Sequence, residues 1–257
     1  MQQYDPYGTE RPYIIEKPRL SVRRSGRILG AVVLLAVAAV IGVFVWRHFA
    51  GSGVTVKGRT FYAVYTSETS VESEAQSAAA VMKAAGGSGY IYNDGTYKIV
   101  AAVYPDASSA DTVAERLTGE GMQAARLELE VPRMRLDFPD ETVRARLGEA
   151  VYYTYGELYD RLYDMSVELD EQRLSESAAV RLIAQYREKA AEYAEYIAGL
   201  AEADPADKTL TGLKNAYAAV TGALSDIQSA EDVRPSARVK YAIADILVTM
   251  RALSGNL

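Results

Sequence analysis

The stretch GTYKIVAAVYPDASSADTVAERLTGEGMQA, Gly95–Ala124, decides the fold. Tyr97–Tyr104 is rich in β-branched and aromatic residues and predicts a strand. Ser108–Leu117 then has helical spacing and stops near Gly119 and Gly121. Upstream, RTFYAVYT from Arg59 predicts a strand, and VESEAQSAAAVMKAAGG from Val71 predicts a helix ending at Gly86. The triplet AVY at Ala63–Tyr65 recurs at Ala102–Tyr104. After each copy, Ala75, Ala78, Ala79, Met82 and Gly86 line up with Ala110, Val113, Ala114, Leu117 and Gly121. That spacing repeats when each helix turns the same apolar face to a sheet and ends at a left-handed glycine.

Asp94-Gly95 supplies hairpin chemistry between YIYN and YKIVAAVY, and AARLELEV, Ala124–Val131, is a last strand. The order β-α-β-β-α-β predicts a ferredoxin/RNP-like sandwich over 59–131, with four antiparallel strands and both helices on one face. A module of about 70 residues is only marginally stable alone, so its open sheet face is expected to be used or covered.

Outward from this module, Ile28–Trp46 is apolar and uncharged. At about 1.5 Å per residue it reaches roughly 29 Å, the hydrocarbon thickness of a bilayer, so 28–46 is expected to be a transmembrane helix. Arg47 and His48 stand where a cleavable signal needs small residues, which favours an uncleaved anchor. Arg11, Lys17, Arg19, Arg23, Arg24 and Arg27 precede the span, against Arg47, Lys57 and Arg59 after it. This asymmetry places the N-terminus in the cytoplasm and the rest of the chain outside the cell membrane. Residues 1–27, with Pro6, Pro12 and Pro18, read as a disordered tail whose basic end faces lipid, and the glycine-containing 47–58 as a flexible stem.

Beyond a proline-bracketed linker the period becomes helical. Val143, Leu147, Val151, Thr154, Leu158, Leu162, Met165 and Leu169 form one stripe. A second helix covers about 177–201, a third carries Leu210 to Ile227, and a fourth carries Val239 to Leu253. Short connections predict an antiparallel four-helix bundle over 139–257, and the chain as a whole is α+β. Tyr152, Tyr155, Tyr159 and Tyr163 run beside the leucine face and are expected to pack half-buried at its boundary.

Several function classes drop out. The 257 residues carry a net charge of -6 and no basic patch in the folded part, which argues against nucleic acid. There is no cysteine, and the single histidine, His48, lies at the membrane edge. A Ser-His-Asp triad, histidine-ligated zinc and a Glu-x-x-His di-metal site are therefore all missing. No serine lies three residues before a lysine. The expectation is a protein that is not an enzyme and needs no metal or cofactor.

FYAVYTSETSVESEAQSAAAVMKAAGG and YKIVAAVYPDASSADTVAERLTGEGMQA together make 59–131 resemble the SPOR domain, the sporulation-related repeat family of bacterial envelope proteins. The helical region resembles no family. The resemblance implies the same sandwich, a single-pass layout with the N-terminus inside, and binding of peptidoglycan glycan strands across the exposed sheet face. Strict alternation would put Lys98, Val100, Ala102 and Tyr104 on that face, with Phe61, Ala63 and Tyr65 as their equivalents. Phe61, Tyr65, Lys98, Val100 and Tyr104 are thus the expected glycan-contacting residues. The departures are specific: where the family has polar side chains this chain has Phe61 and Val100, and alanines replace its glycines. A face this apolar also suits protein. Two functions follow: glycan binding in the cell envelope, or a scaffold or regulator whose sheet face and bundle bind protein partners. Division, sporulation and wall maintenance all remain open as the process served.

Overall fold

The computed structural model of the chain describes residues 53–229 and 233–255. The expected cytoplasmic tail, the span at 28–46 and the first part of the stem lie outside the described residues. Among those described, no helix is long and apolar enough to cross a membrane.

In chain order the strands are β1 (Val54–Val56), β2 (Arg59–Thr69), β3 (Tyr90–Asn93), β4 (Tyr97–Tyr104), β5 (Ala125–Val131) and β6 (Met134–Leu136). The helices are α1 (Glu72–Ala85), α2 (Ala107–Gly119), α3 (Glu141–Tyr153), α4 (Tyr159–Asp170), α5 (Glu176–Ala203), α6 (Lys208–Ser229) and α7 (Pro235–Gly255). A π-helical turn, Thr154–Leu158, joins α3 to α4.

Strands β3-β4-β2-β5 form one fully antiparallel sheet, in the order β-α-β-β-α-β expected of the duplicated unit. The overlay of the two helices holds in three dimensions, whereas that of the AVY triplets does not, since Ala63 and Val103 lie on one face and Val64 and Tyr104 on the other. Ala75, Ala78, Ala79 and Met82 of α1 pack with Ile99, and Ala110, Val113, Ala114 and Leu117 of α2 pack with Val64. Alanine at these positions lets each helix backbone settle close to the strands. Helix α1 stops at Gly86, whose φ of 97° is left-handed and whose N–H donates to the Lys83 carbonyl. The equivalent Gly121 has a φ of 88°. Helix α2 starts where the Asp106 carboxylate accepts the Ser109 N–H at 2.8 Å. These contacts hold the Asp106 carboxyl below its ordinary range.

The opposite sheet face carries Phe61, Ala63, Val100, Val103, Leu129 and Val131, and these share one core with the helical region. Helix α7 makes this possible. It is buried nearly all round, with Val239, Ala242, Ile243, Ala244, Ile246, Leu247 and Met250 inside. A helix buried on most of its sides belongs between layers, and α7 packs on β3, β4 and β5 while meeting α4 and α6 on its other sides. Helices α5 and α6, linked through 204–207, form a hairpin, and α6 and α7 pack likewise. The bundle is therefore present, with its first helix composed of α3, the π turn and α4.

Three expectations need correction. The stem and linker are not mere spacers: β1 pairs with β6 in an antiparallel ribbon, Val54 opposite Leu136 and Val56 opposite Met134. Helix α3 packs against β1 closely enough that a Cβ on Gly148 would lie 2.8 Å from a Val54 methyl. The first bundle helix is not regular either, since the π turn absorbs an extra residue. Finally, strict alternation fails in β4. The pairing steps from Val64 opposite Ala102 to Tyr65 opposite Val100, leaving Ala101 as an extra residue in β4. Lys98, Val100 and Val103 consequently face the bundle, whereas Ala102 and Tyr104 face the helix side with α2.

Candidate functional site

Four of the five expected glycan-contacting residues, Phe61, Tyr65, Lys98 and Val100, share the bundle-facing side of the sheet, and the bulge sends Tyr104 to the other. That side is not open. Phe61 is 0% and Val100 1% exposed. The Tyr159 ring lies 4.4 Å from that of Phe61, centroid to centroid, and its hydroxyl donates to the Val103 carbonyl at 3.4 Å. Burial raises the Tyr159 phenol pKa well above its ordinary value.

Polar contacts frame this seam. The Arg59 guanidinium lies 4.9 Å from the centroids of both Phe61 and Tyr159. It also donates to the Tyr155 carbonyl at 3.3 Å and pairs with Asp160 at 2.8 Å. In return, the Tyr155 hydroxyl donates to the Lys57 carbonyl at 2.7 Å. At the far edge Arg251 of α7 donates to the Tyr92 hydroxyl at 2.6 Å, and Tyr241 lies 5.3 Å from Tyr90. The tyrosine stripe expected at a half-wet boundary is thus split: Tyr155 and Tyr159 are buried in the seam, Tyr163 is half-buried, and Tyr152 is exposed. The π turn turns Tyr155 toward the sheet, and neither the turn nor its effect was legible in the spacing.

Tyr65 and Lys98 lie together at the end of the sheet that the helices leave half-exposed. The Lys98 ammonium is 5.9 Å from the Tyr65 centroid and ion-paired with Asp94 at 2.5 Å and Glu68 at 3.4 Å. The Asp94 contact raises the lysine's pKa and lowers that of Asp94, while a hydrogen bond from Thr96 leads the lowering at Glu68. The lysine's donors are thus already engaged.

Tyr104 opens onto a different feature, a cleft of about 420 Å³ on the helix side of the sheet. Ala101, Ala102 and Tyr104 line it, with Met82 from α1 and Leu117 from α2. The small alanines leave this space between the two helices. Arg116, Arg234 and Lys240 supply its positive charge, Glu120 and Asp170 its negative charge. Lys240 is committed, donating to Asp170 at 2.6 Å and to the Gly86 carbonyl at 2.9 Å. Burial pushes the Tyr104 phenol up to about 12, with Arg116 pulling the other way. Sequence reasoning missed this cleft because α2 and the start of α7 are far apart along the chain. Among the described residues no group of three His, Cys, Asp or Glu is placed to hold a metal ion.

No protein-family model matches the chain, and no curated protein matches it. Among solved structures, the chain is similar to the peptidoglycan binding domain of the cell wall lytic enzyme CwlC of B. subtilis, determined in solution. The two are 28% identical, the match covers 27% of this chain and 89% of that one, and the TM-score is 0.24.

Proposed function

We propose that the chain is a non-catalytic protein of the bacterial cell envelope in which a SPOR-like module and a helical bundle form one protein-binding scaffold. In this reading 28–46 anchors it with the N-terminus in the cytoplasm, and the scaffold lies outside the membrane. The observation that carries the proposal is the burial of Phe61 and Val100 beneath α4 and α7. The surface that the family resemblance gives to glycan is here the seam between two halves of one core. A face of Phe, Val, Leu and Val is built for such a cover, because exposing it would cost free energy and sugars offer little apolar surface in exchange.

The test is co-sedimentation of the full-length chain with purified sacculi, intact and amidase-treated. The scaffold reading expects no saturable retention on either. Retention that rises once the peptides are stripped would overturn it.

A second reading keeps glycan as the ligand at the half-exposed end of the sheet face, where Tyr65 offers a ring beside Lys98. It requires retention on treated sacculi that Tyr65→Ala abolishes and Phe61→Leu leaves intact.

A further inference from the structure

We infer that the chain pairs with a second copy of itself through the free edge of β5, the two strands running antiparallel about a two-fold axis at Leu127. The inference does not depend on the scaffold reading.

The backbone supplies the first part. Strand β5, Ala125–Val131, is an outer strand of the sheet and among the described residues has β2 as its one strand neighbour. Which of its main-chain groups face outward follows from β2. The Val103 carbonyl takes the Tyr159 hydroxyl and the Ala101 carbonyl takes the Ser88 N–H, so both point away from β2. Strand β2 therefore bonds β4 through Tyr62 and Val64, opposite Tyr104 and Ala102, and turns the main-chain groups of Phe61 and Ala63 to Leu129 and Leu127. The groups of β5 left facing outward belong to Arg126, Glu128 and Glu130. All three residues are exposed, whereas Leu129 and Val131 are buried. No backbone group outside the sheet bonds to them among the described residues.

The side chains supply the second part. Charges on a sheet edge ordinarily keep copies apart, and here their order admits one register. With Leu127 opposite its copy, Arg126 of each chain stands opposite Glu128 of the other, on the face shared with α2, and each such pair exchanges main-chain hydrogen bonds. Moving the partner two residues one way sets Glu128 against Glu128, and the other way Arg126 against Arg126. Asp111 holds one nitrogen of the Arg126 guanidinium at 2.7 Å, and another nitrogen lies 3.9 Å from the chain's own Glu128, too long for a hydrogen bond. That nitrogen is left for a partner carboxylate. On the opposite face Leu127 is half-buried against the shared core, and its copy covers the part left bare.

The chain has no cysteine, so a single engineered thiol reads the register directly. Residues opposite one another in a non-hydrogen-bonded pair bring their Cα atoms to about 4.5 Å, within disulfide reach. Leu127→Cys in the full-length chain, in detergent under mild oxidation, should give a covalent dimer. The more exposed Glu130→Cys, which lies opposite Ala124 of the second copy, should not. Glu128→Arg added to Leu127→Cys should cut the yield roughly fivefold, because both pairs then set Arg against Arg. Mixing that chain with one carrying Arg126→Glu and Leu127→Cys should restore the link as a heterodimer, since Arg then meets Glu at both places. Far-UV circular dichroism checks that each variant is folded. No covalent dimer from Leu127→Cys, equal linking by Glu130→Cys, a yield untouched by Glu128→Arg, or a mixture that stays unlinked would each overturn the pairing. None of these bears on sacculus retention, so the pairing and the scaffold reading fail separately.

Discussion

Replacing Phe61 by alanine tests whether sheet and bundle share one core. The ring is fully buried, faces Tyr159 at 4.4 Å and lies under the Arg59 guanidinium. Emptying a buried phenylalanine site costs about 3–5 kcal/mol, of which an aromatic pair accounts for about 0.5–1.5 kcal/mol. With a urea slope of about 3 kcal/mol per molar, the midpoint should fall by roughly 1 to 1.7 M. Because the partner ring belongs to α4, the loss should be felt in the helices as well as the strands. Far-UV circular dichroism and hydrogen exchange in α6 should shift together with exchange in β2. A double-mutant cycle with Tyr159→Leu isolates the contact itself and should return a coupling of about 1 kcal/mol. Two separated transitions, α6 exchange unchanged by Phe61→Ala, or a coupling below about 0.3 kcal/mol would refute the shared core.

Three further outcomes follow from the same geometry. Arg59→Ala should cost about 1–2 kcal/mol in a urea melt, because it removes a hydrogen bond and two ring contacts, whereas Asp160→Asn should cost under about 0.5 kcal/mol, its carboxylate being exposed. Gly148→Leu should destabilise by about 2 kcal/mol or more and free 53–58 to proteolysis, since its side chain would enter the space of Val54. Asp245 has its carboxyl pKa raised by burial and then by Asp226, so the folded state holds that proton more tightly than the unfolded one. Its stabilising contribution is complete below the unfolded carboxylate pKa and is lost as pH rises through the folded one. Asp245→Asn should therefore raise the melting temperature at neutral pH, and the gain should vanish as pH falls toward about 4.

Much of the architecture was legible because it rests on local periodicity. The alanine spacing of α1 and α2 needed only the two AVY repeats for its alignment, and Gly86 and Gly121 mark the helix ends by their backbone conformation. The four helical stripes likewise announced the bundle. What escaped depends on single-residue insertions and on distant pairing. Nothing in YKIVAAVY marks a bulge, yet one extra residue between Val100 and Ala102 moves Tyr104 to the opposite face. The β1–β6 ribbon joins three-residue strands about 80 residues apart, too short to show alternation. The cover itself left one trace. Phe61 and Val100 depart from the polar face of the resemblance, and they meet the apolar residues of α7, which carries Val239, Ile243, Ile246 and Met250.

Whether a ligand could reclaim that seam is a question of magnitudes. Phe61, Val100, Leu129 and Val131 are each worth about 1.5–3 kcal/mol when buried, so baring them costs roughly 6–12 kcal/mol. That rivals the whole stability of a typical domain, about 5–15 kcal/mol. A ligand of millimolar to micromolar affinity supplies about 4–8 kcal/mol, and its apparent affinity falls by the fraction of molecules whose face is open. Glycan competing for Phe61 and Val100 would thus spend its binding free energy on displacing α4 and α7. A protein built this way keeps its apolar sheet face for its own stability.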